Sequence, residues 1–398
     1  MSIAPFEFRT APAIVFGDGE AARLGEHAGA LLGPRILVVT DPGVGALGLP
    51  DEALTSLRRN ATGPVWGTEI VVHDDIGPDP TVAMVGRALA RAREIEATGI
   101  VGFGGGSPLD VAKTVALLAG SDASLDACWG VNAAPGPRLP LALVPTTAGT
   151  GSEVTPVAIL TVGDGEGSEG SDGRGTSVEK RGISSAHLLP DIAVLDPTLT
   201  YGLPPHTTAA TGVDAMVHAI EAYASRNANN NPMSRAMARE ALSLLSRHIE
   251  AAHAGRREAR APMLLGSMMA GQAFANSPVA AVHALAYPLG GRFKVAHGLS
   301  NAVLLPHVLA FNAEEPTASR AYDELAPLVG ARGTDGFIDR LVDLSQSVGL
   351  GHGMAELGVG EDDLDMMADD AMQQTRLLVN NPREMSRADA RAIYAAAL

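Results

Sequence analysis

The feature that most constrains the fold is a change of sequence pattern near residue 200. Before it, short β-rich runs alternate with helical stretches. After it, the chain is rich in Ala, Met and Leu at helical spacing, with few β-branched clusters. Alternating strands and helices predict a parallel sheet covered on both faces, whereas the second pattern predicts helices alone. We therefore expect an α/β domain at 1–195, an all-α domain at 196–398, and an active cleft between the two domains.

Five runs in the first half predict buried strands, and strand character returns once before the pattern changes. These segments are residues 13–17, 36–40, 69–73, 99–104, 141–146 and 183–197. Residues 81–95 have the apolar spacing of a helix. The Gly-, Ser- and acid-rich segment 163–179 is predicted to be a long exposed loop. Ligands of parallel sheets bind beyond the carboxyl ends of the strands, so the residues that follow the strands are the first candidates for a site.

Charge and cysteine content exclude several classes of partner. The chain has 29 Lys and Arg against 45 Asp and Glu, a net charge of −16. This argues against nucleic acid or an anionic membrane as a partner, since both require a basic face. The single cysteine, Cys128, cannot form an internal disulfide, the first residues lack a signal-peptide pattern, and no apolar run reaches membrane-spanning length. We therefore expect a cytoplasmic protein.

A glycine-rich turn follows the fourth predicted strand and precedes a helix. Gly104, Gly105 and Gly106 let the backbone turn sharply and approach a ligand closely. We expect Ser107 to cap the following helix, with Asp110 three residues later as a capping-box acid. The free amides at such a helix start suit a pyrophosphate, although an ordinary strand-to-helix turn explains the same residues equally well.

Two further strand ends carry polar residues. The loop PTTAGTGSEVT, residues 145–155, can line a dinucleotide, although Thr, Gly and Ser clusters are also ordinary loop material. Its hydroxyls at Thr146, Thr147, Thr150 and Ser152 interleave with Gly149 and Gly151. Asp41 ends the second strand, where a carboxylate can accept hydrogen bonds from an adenosine ribose and repel a 2′-phosphate. The alternative for Asp41 is a turn-initiating residue before a proline.

Four residues of the second half could bind one metal ion. Asp214 and His218 are four residues apart and share one face of a predicted helix. His283 is placed near the end of a long helical run that Pro288 helps to stop, and His297 precedes a further helix. Three imidazoles and one carboxylate suit a divalent first-row transition metal. Any one of these histidines alone is more often a hydrogen-bonded helix residue.

The chain resembles the iron-containing alcohol dehydrogenases, the group III family, over nearly its whole length. Five stretches carry the resemblance by their order and spacing. The matching stretches are GGGSPLDVAK, PTTAGTGSEVT, LLPDIAVLDP, TGVDAMVHAIEAY and HALAYPLGGRFKVAHGLSNAVLLPH. The resemblance implies a Rossmann-like N-terminal domain followed by an all-helical C-terminal domain, an architecture shared with dehydroquinate synthase. It also implies reversible hydride transfer between NAD(H) and an alcohol and its aldehyde or ketone, and a homo-oligomer, a dimer or larger.

The resemblance assigns roles to individual residues. It makes Asp41 the acid that selects NAD over NADP, and Lys180 a lysine that contacts the cofactor. The expected metal is Fe²⁺, with Zn²⁺ as the alternative, because a set of three nitrogens and one oxygen suits both ions. The expected ligands are Asp214, His218, His283 and His297. The expected cofactor-binding residues are Asp41, Gly105, Gly106, Ser107, Asp110, Thr146, Thr147, Ser152, Thr155 and Lys180.

Tyr287 departs from the pattern of the family, which often carries a second histidine four residues after the ligand that matches His283. Helical spacing places Tyr287 on the same face as His283. A phenol is a poor base at neutral pH but can donate a hydrogen bond, so we expect Tyr287 to act in catalysis by orienting substrate or a water. The alternative is a helix-end tyrosine packed beneath Pro288, with its hydroxyl bonded to the backbone.

Three other functions share parts of this pattern. A maleylacetate reductase needs cationic groups for a dicarboxylate, and Arg292 and Lys294 are the nearby candidates. A dehydroquinate-synthase-like lyase would show more basic residues and a different spacing of metal ligands. A non-catalytic nucleotide-binding protein would have little reason to keep four metal ligands. The preferred function is therefore a metal-dependent dehydrogenase acting on a small alcohol or aldehyde.

Overall fold

The computed structural model describes residues 4–60, 68–163 and 179–398. The chain divides into two compact units. The first, the sheet unit, comprises Thr10–Thr147 and Ser152–Thr200, and the second, the helical unit, comprises Met1–Arg9, Ala148–Gly151 and Tyr201–Leu398. The predicted class, α/β followed by all-α, is confirmed. None of the described helices combines the length and the apolar character needed to cross a membrane.

The sheet unit is built on a parallel sheet. Its strands are β1 (Ala13–Phe16), β2 (Arg35–Val39), β3 (Glu69–His73), β4 (Gly99–Gly104), β5 (Gly130–Val131), β6 (Leu141–Pro145), β7 (Val157–Val162), β8 (Glu179–Ser184) and β9 (Ile192–Leu195). Six of these described strands form one sheet in the order β1-β9-β6-β4-β2-β3, and every pairing in it is parallel. The carboxyl ends of the strands therefore share one edge.

Helices and apolar clusters cover both faces of this sheet. The helices of the sheet unit are α1 (Leu24–Leu32), α2 (Pro42–Ala46), α3 (Asp51–Asn60), α4 (Val82–Glu94) and α5 (Gly106–Gly120). Successive side chains of β2 point to opposite faces, as strand geometry requires. Leu37 packs into the cluster formed with α4 and α5, and Val38 packs into the one formed with α1 and α3. Because both faces are buried, β4 and β6 are apolar along their whole length.

A second, smaller sheet was not predicted. It has the order β5-β8-β7 among the described residues, with β7 and β8 antiparallel and β5 parallel to β8. Strand β8 overlaps the start of the segment predicted to return to strand character. The loop predicted at 163–179 lies almost wholly outside the described residues, because the structure describes neither 164–178 nor the side chain of residue 179.

The helical unit contains no strand within its described residues. Its helices are α6 (Pro205–Ala224), α7 (Pro232–His253), α8 (Arg260–Asn276), α9 (Ala281–Phe293), α10 (His297–Ala313), α11 (Pro316–Leu325), α12 (Gly333–Ser347), α13 (Leu364–Met372), α14 (Thr375–Leu378) and α15 (Arg387–Ala397). Helix α6 packs against α7, α8 and α10. Its buried residues extend from Thr208 to Tyr223, so polar side chains on α6 need partners inside the unit.

The long helical run predicted to end near Pro288 is wrong in one respect. Helix α8 ends at Asn276, and α9 begins at Ala281 and continues through Pro288. Pro278 lies in the break, where it cannot donate the backbone hydrogen bond that a continuous helix needs. His283 therefore lies in the first turn of a new helix, not near the end of an old one.

Candidate active site

The four predicted metal ligands converge in the helical unit. Ligand atoms of Asp214, His283 and His297 lie within 4.8 Å of one another. Asp214 Oδ1 is 3.8 Å from His283 Nε2 and 3.6 Å from His297 Nε2. His218, one turn after Asp214 on α6, places its Nε2 4.0 Å from the same oxygen. Nitrogens from three helices thus surround one carboxylate oxygen.

Packing of α10 against α6 places His297 in this group. A Cβ atom at Gly298 would lie 2.1 Å from the carbonyl oxygen of Ala210 on α6. Only glycine allows such a close approach of two backbones. His218 is held by stacking, with ring centroids 4.4 Å from Phe274 and 4.7 Å from His283. The positions of these imidazoles are therefore fixed by the core of the unit.

Glu221 orients one of the imidazoles and was not predicted. Its buried carboxylate accepts hydrogen bonds from the backbone N–H groups of Ala280 at 3.0 Å and Val282 at 2.7 Å, at the start of α9. It also lies 2.6 Å from His283 Nδ1. A carboxylate only accepts, so His283 carries its proton on Nδ1 and directs the lone pair of Nε2 toward Asp214. The signal in the sequence is the spacing D-x-x-x-H-x-x-E, which puts all three residues on one helical face.

Asn301, one turn after His297 on α10, was also not predicted. Its Nδ2 donates to Asp214 Oδ1 at 2.7 Å and lies 3.4 Å from His283 Nε2 and 3.3 Å from His297 Nε2. Its Oδ1 is buried and has no hydrogen-bond partner among the described residues. This amide group is thus enclosed by three acceptor atoms, two imidazole nitrogens and one carboxylate oxygen. A dication satisfies such a set of acceptors better than one amide does.

Burial and neighbouring charges set the protonation of the site. Burial lowers the pKa of His218 to about 3, so its imidazole is neutral. Burial raises the pKa of Asp214, but the surrounding imidazoles and the Asn301 hydrogen bond lower it by more, so the carboxyl is ionised. Burial lowers the pKa of His283, but its contact with Glu221 raises it by more. An ionised carboxylate beside a neutral imidazole is ready to donate electron pairs to a metal.

Tyr287 lies beside one of the proposed metal ligands, and its hydroxyl bonds a side chain that the sequence did not indicate. Its ring centroid is 6.3 Å from that of His297. Its hydroxyl accepts a hydrogen bond from Arg376 Nη2 at 3.2 Å, not from the backbone. Arg376 is 89 residues away in sequence, and no local pattern could have connected the two. The candidate cation Arg292 is ion-paired with Asp370 through Nε and Nη2.

The glycine-rich turn of the sheet unit differs from the prediction in its cap. Helix α5 begins at Gly106 with Gly105 as its N-cap, so the prediction that Ser107 caps the helix is wrong. Gly104 has φ +150°, and a Cβ there would lie 2.8 Å from Pro108, so glycine is required at this turn. Because the helix starts earlier, Ser107 lies in its first turn, and Asp110 is not a capping-box acid.

Residues at the ends of neighbouring strands adjoin this turn. The backbone N–H of Thr146 donates to the carbonyl of Gly104 at 2.9 Å. The Thr147 methyl would lie 3.6 Å from a Cβ placed on Gly105. Asp41 Oδ1 accepts from Val44 N at 2.9 Å and caps α2, while its Oδ2 lies 3.2 Å from where a Gly104 Cβ would be. The structure therefore brings Asp41, the glycines and both threonines to one edge.

The remaining predicted cofactor contacts surround Lys113, which sequence reasoning missed. Lys113 is fully buried, and its Nζ donates to Ser152 Oγ at 2.7 Å and to Thr155 Oγ1 at 3.2 Å. The Ser152 hydroxyl donates to Asp110 Oδ1 at 2.6 Å. Burial lowers the pKa of Lys113. This network fixes the loop after Gly151.

Lys180 has a different partner from the one predicted for it. It lies on β8, and its Nζ is 2.5 Å from Asp79 Oδ1. The structure therefore gives Lys180 an acidic partner within the sheet unit. Its place in cofactor binding stays a prediction.

Both parts of the chain match one family. Residues 11–197 match the family described as iron-containing alcohol dehydrogenase, and residues 208–398 match its C-terminal domain. The chain belongs to the iron-containing alcohol dehydrogenase family. The family resemblance seen in the sequence and the expected enzyme class, an alcohol dehydrogenase, are confirmed.

Relatives of this family member cover its full length. Long-chain-alcohol dehydrogenase 1 from Geobacillus thermodenitrificans (strain NG80-2) is 38% identical over 409 residues, covering 100% of this chain and 97% of the relative. The crystal structure of a 1,3-propanediol oxidoreductase has 33% identity and a TM-score of 0.90, covering 99% and 100% of the two chains. Sulfoacetaldehyde reductase from Bifidobacterium kashiwanohense, solved in complex with NAD⁺, has 28% identity and a TM-score of 0.85, covering 99% of each chain.

Proposed function

We propose that this alcohol dehydrogenase transfers a hydride reversibly between NAD(H) and an alcohol and its aldehyde or ketone, with one divalent metal ion. The observation that carries the proposal is the convergence of imidazole nitrogens on a single carboxylate oxygen in the helical unit. The complex of sulfoacetaldehyde reductase with NAD⁺ supports the cofactor. The proposed metal ligands are Asp214, His218, His283 and His297.

The metal, when bound, supplies a Lewis acid that polarises the oxygen of the substrate. The residues of the chain prepare the site for it. Glu221 keeps the proton of His283 on Nδ1 and so leaves Nε2 free to coordinate. Asp214 and Glu221 supply two carboxylates that balance the charge of a dication. We propose Fe²⁺ as the ion, which the family name supports, with Zn²⁺ as the alternative because this donor set suits both.

Bound NAD⁺ would supply the hydride acceptor for oxidation of the alcohol, which also releases one proton, and bound NADH would supply the hydride donor for the reverse reaction. We propose that the backbone amides at Gly105, Gly106 and Ser107 hold the pyrophosphate at the start of α5. Thr146 and Thr147 adjoin that turn and would line the dinucleotide. We propose that Asp110, Ser152 and Thr155 act through the Lys113 network that shapes the loop, and that Lys180 contacts the cofactor from β8.

Replacing Asp41 by Ser is expected to shift the cofactor preference toward NADP. Serine can still cap α2, so the substitution mainly removes the charge that repels a 2′-phosphate. We expect the ratio of kcat/KM for NAD to that for NADP to fall about ten- to hundredfold, the scale of one interaction with a charged group. Initial rates with both cofactors measure this ratio, with Asp41→Glu as the charge-retaining control. Equal use of both cofactors by the parent enzyme would contradict the role of Asp41.

Tyr287 is proposed to donate a hydrogen bond to the substrate or to a water. Because Arg376 donates to its oxygen, the hydroxyl proton of Tyr287 remains available to a further acceptor. Tyr287→Phe is expected to lower kcat by roughly ten- to hundredfold, the scale of one lost transition-state hydrogen bond. Metal content and NAD affinity should stay near those of the parent. Unchanged turnover across a substrate panel would assign Tyr287 a structural role.

A substrate screen tests the proposed function directly. The purified protein is loaded with Fe²⁺ under anaerobic conditions, or with Zn²⁺, and the change in NADH absorbance is followed with a panel of alcohols and aldehydes. We expect metal-dependent hydride transfer with at least one pair. Full activity in a rigorously metal-free preparation would contradict the metal site, and no activity with any pair would contradict hydride transfer. A dehydroquinate-synthase-like lyase would consume a sugar phosphate with no net change in NADH. The maleylacetate reductase alternative, which needs cations for a dicarboxylate, is weakened because Asp370 neutralises Arg292.

The proposal also includes the roles of the two domains, the oligomeric state and the location of the protein. We propose that 1–195 is the dinucleotide-binding domain and 196–398 the metal-binding domain, as the sequence pattern predicts. We also propose a homo-oligomer, a dimer or larger, located in the cytoplasm. Light scattering of the purified chain measures its mass in solution.

A further inference from the structure

Arg376 carries a charge that no acidic residue neutralises within the described parts of the chain. It is exposed on α14, and its side chain donates one hydrogen bond, to Tyr287 Oη at 3.2 Å. Arg292, one of the two candidate cations for the dicarboxylate alternative, is paired with Asp370. Binding an anion requires a guanidinium with unused donors and no acidic partner. Arg376 meets this requirement, whereas Arg292 does not.

Hydrogen bonds hold both the backbone and the guanidinium of Arg376. Its backbone carbonyl accepts from Asn380 Nδ2 at 3.0 Å, and Asn380 is buried and also donates to the carbonyl of Val279 at 3.1 Å. At the other end, Tyr287 holds the guanidinium. A side chain fixed in this way loses less conformational entropy when it binds a ligand than a freely rotating one does.

The guanidinium bonds the hydroxyl of Tyr287, whose ring lies close to that of one proposed metal ligand. The rings of Tyr287 and His297 have centroids 6.3 Å apart. A substrate whose oxygen is near the metal ligands would therefore extend past Tyr287 within reach of a positive charge.

We propose that Arg376 recognises a single anionic group on the substrate, so that the enzyme prefers an aldehyde or alcohol that carries a carboxylate. This inference rests on the proposed function and names the substrate class for it. A guanidinium has five N–H donors and Tyr287 occupies one, which leaves enough for a bidentate carboxylate. The net charge of −16 repels anions at a distance, so a local cation is needed to hold one. One guanidinium provides for one anionic group, not for the two of a dicarboxylate.

The test compares two aldehydes that differ in one charge. Glutaric semialdehyde and its methyl ester are reduced by the metal-loaded enzyme with NADH, and kcat/KM is measured for each. We expect the parent to prefer the acid over the ester. Arg376→Gln can keep the hydrogen bond to Tyr287 but loses the charge, so the preference should fall by roughly ten- to hundredfold, mainly through KM. Arg376→Lys should retain part of it.

Arg292→Gln is the matched control. It changes the net charge by the same amount in the same unit, but it removes a charge that Asp370 already neutralises, so the ratio of acid to ester should stay that of the parent. Raising the ionic strength should weaken the preference of the parent for the acid and leave that of Arg376→Gln nearly unchanged.

Three outcomes overturn the inference, and none is confused with failure of the proposed function. Equal efficiency of the parent with acid and ester, or an equal loss with both in Arg376→Gln, would overturn anion recognition while hydride transfer stands. If neither aldehyde is reduced, the calorimetric titration of δ-hydroxyvalerate into the metal-loaded protein decides. Binding that weakens about tenfold or more in Arg376→Gln but not in Arg292→Gln supports the inference, and binding unaffected by both substitutions overturns it.

Discussion

Replacing His283 by Ala is expected to abolish metal binding and to lower turnover by roughly a thousandfold or more, the scale of losing a Lewis acid from the reacting oxygen. The substitution has two effects on the site. It removes one of the nitrogens that face Asp214. It also leaves the carboxylate of Glu221 buried without its imidazole partner, and a buried charge without a partner destabilises the surrounding structure.

The measurement separates loss of metal from loss of fold. Metal content by atomic absorption, NAD binding by fluorescence and secondary structure by circular dichroism are compared between the parent and His283→Ala. The matched control is His307→Ala, because His307 lies on α10 of the same unit, is partly buried, and is not among the described residues that group around Asp214 as possible metal ligands. We expect the control to keep its metal. A His283→Ala variant that retains a full equivalent of metal would refute the proposed ligand set.

The local sequence correctly predicts those helices and strands whose apolar residues follow a regular pattern within a short stretch. Strands β3 and β4 begin and end at the predicted residues. Short apolar runs bounded by turn residues indicate strands of a parallel sheet without reference to the rest of the chain. Helix α4 differs from its predicted range by one residue at each end. The cap of α5 was misplaced because Ser107 is a better N-cap by residue type than Gly105. The unusual φ of Gly104, which a local pattern does not show, decides where the helix begins.

Sequence reasoning selected the residues that the structure brings together as a candidate metal site, but not the side chains that contact them. Residue type and family resemblance identify Asp214 and the histidines, because few side chains bind transition metals. Tertiary packing decides which side chains contact these residues. Arg376 contacts Tyr287 across 89 residues of sequence. The hydroxyls of Ser152 and Thr155 were read as open to a ligand, but each bonds a buried lysine from α5.

Glu221→Gln is the substitution with the second-largest expected effect, because it changes one charge and almost no volume. The carboxylate now accepts three hydrogen bonds, from His283 and from the backbone at Ala280 and Val282. A glutamine has one carbonyl oxygen and an amide group that would face one of these donors. We expect the free energy of unfolding in urea to fall by about 1–3 kcal/mol, the cost of leaving a buried donor unsatisfied.

The same substitution is expected to weaken metal binding roughly ten- to hundredfold, because groups that orient a ligating histidine have effects of this size. Competition with a chelator measures the dissociation constant, and the visible spectrum of the Co²⁺-loaded protein reports the coordination without reference to activity. Glu314→Gln is the control, since Glu314 pairs with Arg383 on the surface of the same unit. If Glu221 only caps α9, the unfolding free energy should change and the metal dissociation constant should not. A change in both would show that the carboxylate on α6 links the start of α9 to the orientation of its histidine, so that the fold and the metal site depend on one buried group.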